Sequence, residues 1–136
     1  MTSLRRFVLV ALPAAALTAV AGLAAAEPIS GSWSGSFKQS TQPDSYAIAI
    51  DFSREPATVE YADQSCGGTL EKVGEKGDTS FYVETITRGG IDPATGHGCI
   101  NGNVTLIRSG DKLVWGWIGE HKGQPLSATA TLEKAK

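Results

Sequence analysis

Short segments of alternating apolar and polar residues, separated by turn residues, constrain this chain more than any other feature. Turn signals rich in Gly, Asp and Pro recur roughly every eight to fifteen residues after residue 26, and no segment has a helical period. Eight segments read as strands: 29–37, 46–52, 57–62, 68–73, 80–87, 103–108, 112–118 and 126–133. The sequence therefore predicts an all-β fold.

Several of the predicted strands are apolar on one face only. In the first strand, Trp33 and Phe37 share a face and serines occupy the other, while the last strand alternates Leu or Ala with Ser or Thr. The connections are short enough for hairpins, and no helix is available to cover a sheet. We therefore expect an eight-stranded antiparallel up-and-down barrel, which also removes the sheet edges. A two-sheet β-sandwich is the alternative.

Residues 1–26 have the organisation of a signal peptide. Arg5 and Arg6 precede a long apolar run that ends in three alanines. We expect cleavage near Ala26, which leaves a single barrel domain over residues 27–136, periplasmic or secreted and without membrane attachment. A retained membrane anchor is less favoured, because a proline and a glycine interrupt the apolar run.

Two cysteines, Cys66 and Cys99, follow the predicted cleavage site. An exported protein meets an oxidising environment in which pairing is the default, so we expect a disulfide between them. On the chain-entropy model the bridge stabilises the fold by about 3 to 4 kcal/mol. A redox-active pair is less favoured, because the cysteines lack C-x-x-C spacing.

The loops of the predicted barrel differ between its two ends. In a meander, the first, third, fifth and seventh connections share one end, and they include the segment around Cys66 and the long loop 88–102. The other three connections are short turns. We therefore expect a long-looped end that carries both cysteines, and a closed end. Loops on a rigid scaffold commonly form binding sites, so a site is expected at the long-looped end.

The segment "LVWGWIG", residues 113–119, is apolar on both faces. Trp115 and Trp117 lie on one face, and Val114 and Ile118 on the other. The strand that would pair with it has alanines on its inner face, which leaves room for bulky neighbours. We therefore expect the two tryptophans to face inwards and the aliphatic residues to form an outward strip. Tryptophans on the outside would instead predict a docking patch.

Glu84 is a carboxylate within an otherwise apolar predicted strand, 80–87. If Glu84 faced inwards it would need a partner, such as Arg88 or Arg108, because an unpaired buried charge is costly. If Phe81 and its alternate neighbours faced inwards instead, Glu84 would be solvated. We expect the second arrangement.

The composition excludes some functions and leaves little sign of catalysis. The chain is mildly acidic, with a formal net charge of −2 and no Lys or Arg cluster, so nucleic-acid binding is not expected. The sequence "GSWSG" places Trp33 where a nucleophile elbow has serine. His97 and His121 fall in loops without a metal-ligand spacing, so we predict no metal, no cofactor and no catalytic residue.

The triplet Gly31-Ser32-Trp33 near the start of the first strand, with eight antiparallel strands, resembles the calycin group of lipocalins, fatty-acid-binding proteins and avidins. The resemblance covers the whole mature chain in strand order but only this triplet in residues. It implies that Trp33 is a structural plug at the closed end of a ligand-holding barrel. The late arginine that covers this tryptophan in lipocalins has no counterpart in residues 126–136.

Three functional classes follow from these observations. The first is an exported binding barrel that holds a small, partly apolar ligand at the long-looped end, with Phe37, Tyr46, Trp115 and Trp117 as the expected contacts. The second is a module that binds an extracytoplasmic protein through the loop 88–102, such as an inhibitor of a protease or lysozyme. An enzyme is the least favoured class.

Overall fold

The computed structural model describes residues 26–136 as a closed barrel of eight strands. The predicted signal peptide, apart from Ala26, lies outside the described residues. One short 3-10 helix, Ala62–Gln64, connects the third and fourth strands. The strands are β1 Ser32–Gln39, β2 Ser45–Asp51, β3 Ala57–Tyr61, β4 Cys66–Lys76, β5 Thr79–Arg88, β6 Gly102–Ser109, β7 Lys112–His121 and β8 Gln124–Lys134.

Every strand pairs antiparallel with its neighbours in the chain, and the last pairs with the first. The closing ladder between β1 and β8 runs from Trp33 opposite Lys134 to Gln39 opposite Ala128. The predicted up-and-down barrel is therefore confirmed, and the sandwich alternative is not. No helix among residues 26–136 is long and apolar enough to cross a membrane.

The interior of the barrel is filled by the apolar faces of the strands. Alternate residues point inwards, so a period of two in the sequence becomes one buried face and one solvated face. Burial of these side chains removes apolar surface from water, which is the main favourable term in folding. The inner residues include Trp33, Phe37, Ile48, Ile50, Val59, Tyr61, Leu70, Val104, Leu106, Leu113 and Leu132.

The two tryptophans of β7 face inwards, as predicted. Trp115 is directly opposite Ala130 of β8, and Trp117 is opposite Ala128, so large and small side chains alternate across the ladder. Both tryptophans are buried, whereas Ile118 on the outer face is 61 % exposed. The small residues of β8 therefore explain which face of an apolar strand turns to the interior.

The predicted orientation of β5 is wrong. Tyr82 and Glu84 are buried, and Phe81 is 42 % exposed on the outer face. Arg88 and Arg108 do not pair with Glu84, since Arg88 binds Glu60 and Arg108 donates to a backbone carbonyl. Both faces of this strand carry aromatic and aliphatic side chains, so alternation alone could not select one. The inward orientation is stable because Glu84 finds other partners inside the barrel.

The closed end of the barrel contains Trp33. Its indole nitrogen donates to the backbone oxygen of Ser30 at 3.0 Å, and its ring is buried. The ammonium group of Lys134 lies 5.8 Å from the ring centroid, within cation–π range. A lysine of the closing strand therefore covers this tryptophan, although the sequence showed no arginine for that position.

Candidate functional site

A cavity of about 680 Å³ lies beneath the long loops of the barrel. Its wall includes Phe37, Tyr46, Trp115 and Trp117, the four residues that the sequence assigned to ligand contact, together with Tyr61. Trp33 is not among the lining residues, since it lies at the opposite end. The structure therefore brings all four predicted contact residues to one internal space.

The aromatic wall is built around Phe37. The centroid of its ring lies 5.4 Å from that of Tyr61, 5.6 Å from that of Tyr46 and 5.7 Å from that of Trp115. All three ring pairs are tilted or edge-on, which suits the quadrupoles of aromatic side chains. Five aromatic side chains thus form a rigid, mainly apolar surface facing the cavity.

A buried carboxylate, Glu84, interrupts this aromatic wall. Tyr61 donates its hydroxyl to Oε1 at 2.5 Å, and Trp117 donates its indole N–H to Oε2 at 2.6 Å. Glu84 is 1 % exposed and forms no ion pair among the described residues. Two neutral donors from β3 and β7 therefore hold a carboxyl group that the sequence placed in solvent.

The environment of Glu84 changes its acidity. Burial raises the pKa of the Glu84 carboxyl, and the hydrogen bonds from Tyr61 and Trp117 oppose that rise without cancelling it. Burial and the neighbouring carboxylate also raise the pKa of Tyr61. Tyr61 therefore remains a proton donor to Glu84, and the carboxyl is easier to protonate than an ordinary glutamate.

Two glycines leave the space in which Trp117 reaches Glu84. A Cβ atom at Gly102 would overlap the indole nitrogen of Trp117, and one at Gly119 would overlap the far edge of the same ring. Gly102 on β6 is also the residue paired with Glu84 on β5. Neither glycine stood out in the sequence, although Gly119 follows Trp117 by two residues and therefore lies on the same face of β7.

The predicted disulfide between Cys66 and Cys99 is present, with 6.2 Å between the two Cα atoms. The disulfide joins the start of β4 to the loop 88–102. Within that loop, an isolated backbone β-bridge pairs Gly90 with Cys99. Residues 96–100 of this loop line the cavity. The disulfide therefore fixes one side of the cavity mouth.

The mouth of the cavity carries His97, His121 and Lys122. His97 and Lys122 are exposed, and Glu84 is the only carboxylate among the lining residues that the structure describes. No group of three or more His, Cys, Asp or Glu within residues 26–136 could hold a metal ion. The arrangement suits non-covalent binding of an organic molecule through aromatic contact and one carboxylate.

The fold and the site together define a class: a closed eight-stranded antiparallel barrel with an aromatic cavity at its long-looped end and one carboxyl group in the cavity wall. Comparison with protein-family models, with curated proteins and with solved structures found no match to this chain. The geometry of the cavity is therefore the basis for a function.

Proposed function

We propose that this protein is an exported binding protein that takes a small, partly apolar ligand into the cavity at the long-looped end. The observation that carries the proposal is a cavity of about 680 Å³ whose wall combines five aromatic side chains with a single carboxyl group, and with further polar side chains that include His97 and Lys122. Ligand sites in proteins are typically concave, mainly apolar and equipped with a small number of placed polar groups. A volume of this size accommodates a molecule of roughly drug-like dimensions.

The disulfide supports the exported location, periplasmic or secreted. Cys66 and Cys99 form a bridge, and such bridges persist in oxidising compartments. The same bridge restrains the loop that lines the cavity mouth. A loop that is already restrained loses less conformational entropy when a ligand binds, as in other preorganised sites.

We also propose that the chain is calycin-like. The support is the closed barrel of eight antiparallel strands, with Trp33 of the G-x-W triplet buried near the start of β1. Lys134 lies over that tryptophan where lipocalins use an arginine. In this arrangement Trp33 acts as the structural plug of the closed end, and the ligand occupies the other end.

The binding of a partner protein through loop 88–102 remains an alternative prediction. Several residues of this loop, including Ile91 and Ile100, turn towards the cavity. Side chains that line an internal space are less available to a partner surface, so the cavity supports ligand binding better than insertion into a partner. Catalysis remains the least favoured class.

A titration with N-phenyl-1-naphthylamine, a neutral apolar probe that fluoresces in apolar surroundings, tests the proposed function. We expect saturable binding with one probe per chain and quenching of tryptophan fluorescence, because Trp115 and Trp117 line the cavity. Leu126→Phe, which adds volume at the cavity wall, should weaken binding about tenfold or more, by overlap with the probe. Ser127→Phe on the outer face of the same strand is the matched control.

The two variants separate cavity binding from surface adsorption. Equal loss of probe affinity in Leu126→Phe and Ser127→Phe would place the probe outside the cavity. Absence of saturable binding to the folded, oxidised protein would contradict the proposal outright. A pull-down from periplasm or culture medium with the wild-type chain tests the protein-binding alternative.

A further inference from the structure

We propose that the ligand of this cavity carries an alkylammonium group, which lies against Glu84 and is surrounded by the aromatic wall. The inference rests on the proposed function, because it names the chemical class that the same cavity selects. Three features carry it: an uncompensated carboxylate, hydrogen-bond partners that suit its charged form, and aromatic rings around it.

The first feature is the charge of the cavity wall. Glu84 is buried, and no Lys, Arg or His among the described residues pairs with it. A buried charge without a counter-ion is unfavourable, so structures normally supply a partner. Here the space beside Glu84 is the cavity itself, so a cationic ligand would complete the pair.

The second feature is the kind of hydrogen bond that Glu84 makes. Trp117 can only donate through its indole nitrogen, so Oε2 of Glu84 must act as the acceptor. Tyr61 donates to Oε1. An ionised carboxylate can accept about four hydrogen bonds, which is two more than Tyr61 and Trp117 supply. Anionic ligands are disfavoured beside the same carboxylate by repulsion.

The third feature is the composition of the surrounding wall. Tyr61 and Trp117, which hold the carboxylate, also line the cavity, together with Phe37, Tyr46 and Trp115. The negative faces of aromatic rings attract ammonium groups, and the attraction is strongest where water is excluded. The carboxylate and the aromatic rings therefore both favour a positively charged ligand group beside Glu84.

Binding of the ammonium group is coupled to a proton. Burial raises the pKa of Glu84, so the empty protein retains this carboxyl proton to a higher pH than an exposed glutamate would. An adjacent cation favours the ionised form, so binding releases the carboxyl proton to solvent. Affinity for the amine should therefore increase as pH rises through the ionisation of Glu84.

Calorimetric titration of the oxidised wild-type protein with 2-phenylethylamine and with 2-phenylethanol tests the proposal. The two probes match in shape, and only the amine is charged at neutral pH. We expect the amine to bind at least about tenfold more tightly than the alcohol. A third probe, the trimethylated amine, keeps the positive charge but has no N–H donor. Both charged probes should bind more tightly than the alcohol, and any loss of affinity from the amine to the trimethylated amine reports the contribution of the N–H donors.

Glu84→Gln is the decisive variant, because the amide keeps the shape of the side chain and can still accept from Trp117. The preference for the amine should disappear, and binding of the alcohol should remain. Glu120→Gln, which removes an exposed carboxylate from the end of β7, is the matched control and should leave the preference unchanged. Circular dichroism and the unfolding midpoint establish that both variants are folded.

The pH dependence is an independent measurement that does not need the Glu84 variant. The titratable groups lining the cavity are Tyr46, Tyr61, Glu84, His97, His121 and Lys122. Because two histidines also line the cavity, the titration is repeated in the double variant His97→Gln/His121→Gln. An increase in amine affinity with pH that survives in the double variant does not come from the histidines, which is the result expected if Glu84 is the group that ionises.

The outcomes separate this inference from the proposed function. Equal affinity for amine and alcohol, with saturable binding of N-phenyl-1-naphthylamine, overturns the ammonium inference and leaves the binding function intact. A preference for the amine that persists in Glu84→Gln places the charge recognition elsewhere and also overturns it. If neither these probes nor the neutral probe binds, both proposals fail.

Discussion

Trp117 of β7 donates a hydrogen bond to Glu84 of β5 at 2.6 Å, although a whole strand, β6, separates the two in the barrel wall. The indole reaches across because Gly102, the β6 residue opposite Glu84, has no side chain. The contact ties two non-adjacent strands together inside the barrel. It also fixes the orientation of a carboxyl group in the wall of the cavity.

Gly102→Ala should weaken the hydrogen bond between Trp117 and Glu84. The added methyl group would overlap the indole nitrogen of Trp117, so the ring must move away from Glu84. We expect a loss of about 1–3 kcal/mol in the free energy of unfolding, the usual cost of overpacking. Urea denaturation measures it. Gly74→Ala in β4 is the control, since a methyl group there meets nothing within 4 Å; equal losses in the two variants would contradict the steric argument.

Tyr61→Phe should destabilise the protein by removing one of the two donors to Glu84. A hydrogen bond contributes about 0.5–1.5 kcal/mol, or about 1.5–3 kcal/mol where the acceptor is charged, and its loss leaves a buried carboxyl oxygen without that donor. Tyr46→Phe is the matched control, because Tyr46 also lines the cavity but does not hydrogen-bond to Glu84. Denaturant midpoints at neutral pH should fall clearly for the first variant and little for the second.

The stability of the protein should fall with rising pH because of Glu84. Its native pKa is raised, so the native state holds the carboxyl proton more tightly than the unfolded chain does. This contribution is fully present below the pKa of the unfolded chain and is lost as pH rises through the native pKa. Glu84→Gln should therefore gain stability relative to wild type as pH rises from the ordinary range of a glutamate pKa through the raised native pKa of Glu84. If the curves of unfolding free energy against pH were parallel for the two proteins, Glu84 would not be the cause of the pH dependence.

Removal of the disulfide should lower stability and loosen the cavity mouth. Cys66 and Cys99 are 33 residues apart, and closing such a loop stabilises the fold by about 3 to 4 kcal/mol on the chain-entropy model. We expect Cys66→Ala/Cys99→Ala to lose that stability and to bind N-phenyl-1-naphthylamine more weakly, because the freed loop lines the cavity. Denaturation and probe titration measure the two effects, with reduced wild type as the comparison. Unchanged probe affinity in a folded variant would show that the bridge does not shape the mouth.

Lys134→Met should remove the cation–π contact with Trp33 at the closed end. We expect a small loss of about 0.5–1 kcal/mol, since the lysine is exposed to solvent. Lys136→Met, two residues further on and outside β8, controls for the loss of one positive charge. Lys134→Met should leave ligand binding unchanged, because Trp33 does not line the cavity. A change in probe affinity would contradict this separation of the two ends.

The face of β7 was predictable, and that of β5 was not. For β7, the neighbouring strand carries alanines at alternate positions, and these are found opposite Trp115 and Trp117. For β5, aromatic and aliphatic residues occupy both faces, and the rule that charges avoid the interior favoured the wrong one. That rule fails here because two donors, 23 and 33 residues away in the chain, converge on Glu84.

The sequence by itself determined the all-β class and the number and order of strands, and it favoured the closed barrel, the pairing of Cys66 with Cys99 and the inward face of β7. The strands and the barrel follow from local alternation, turn residues and the small number of ways in which short antiparallel strands can cover one core, and the disulfide follows from the expected export of a chain with two cysteines. Only the tertiary structure decided that Glu84 lies inside, that Lys134 covers Trp33, and that a cavity remains beneath the loops. These features depend on contacts between strands distant in the chain and on the volumes left between their side chains, and neither is encoded in a local pattern.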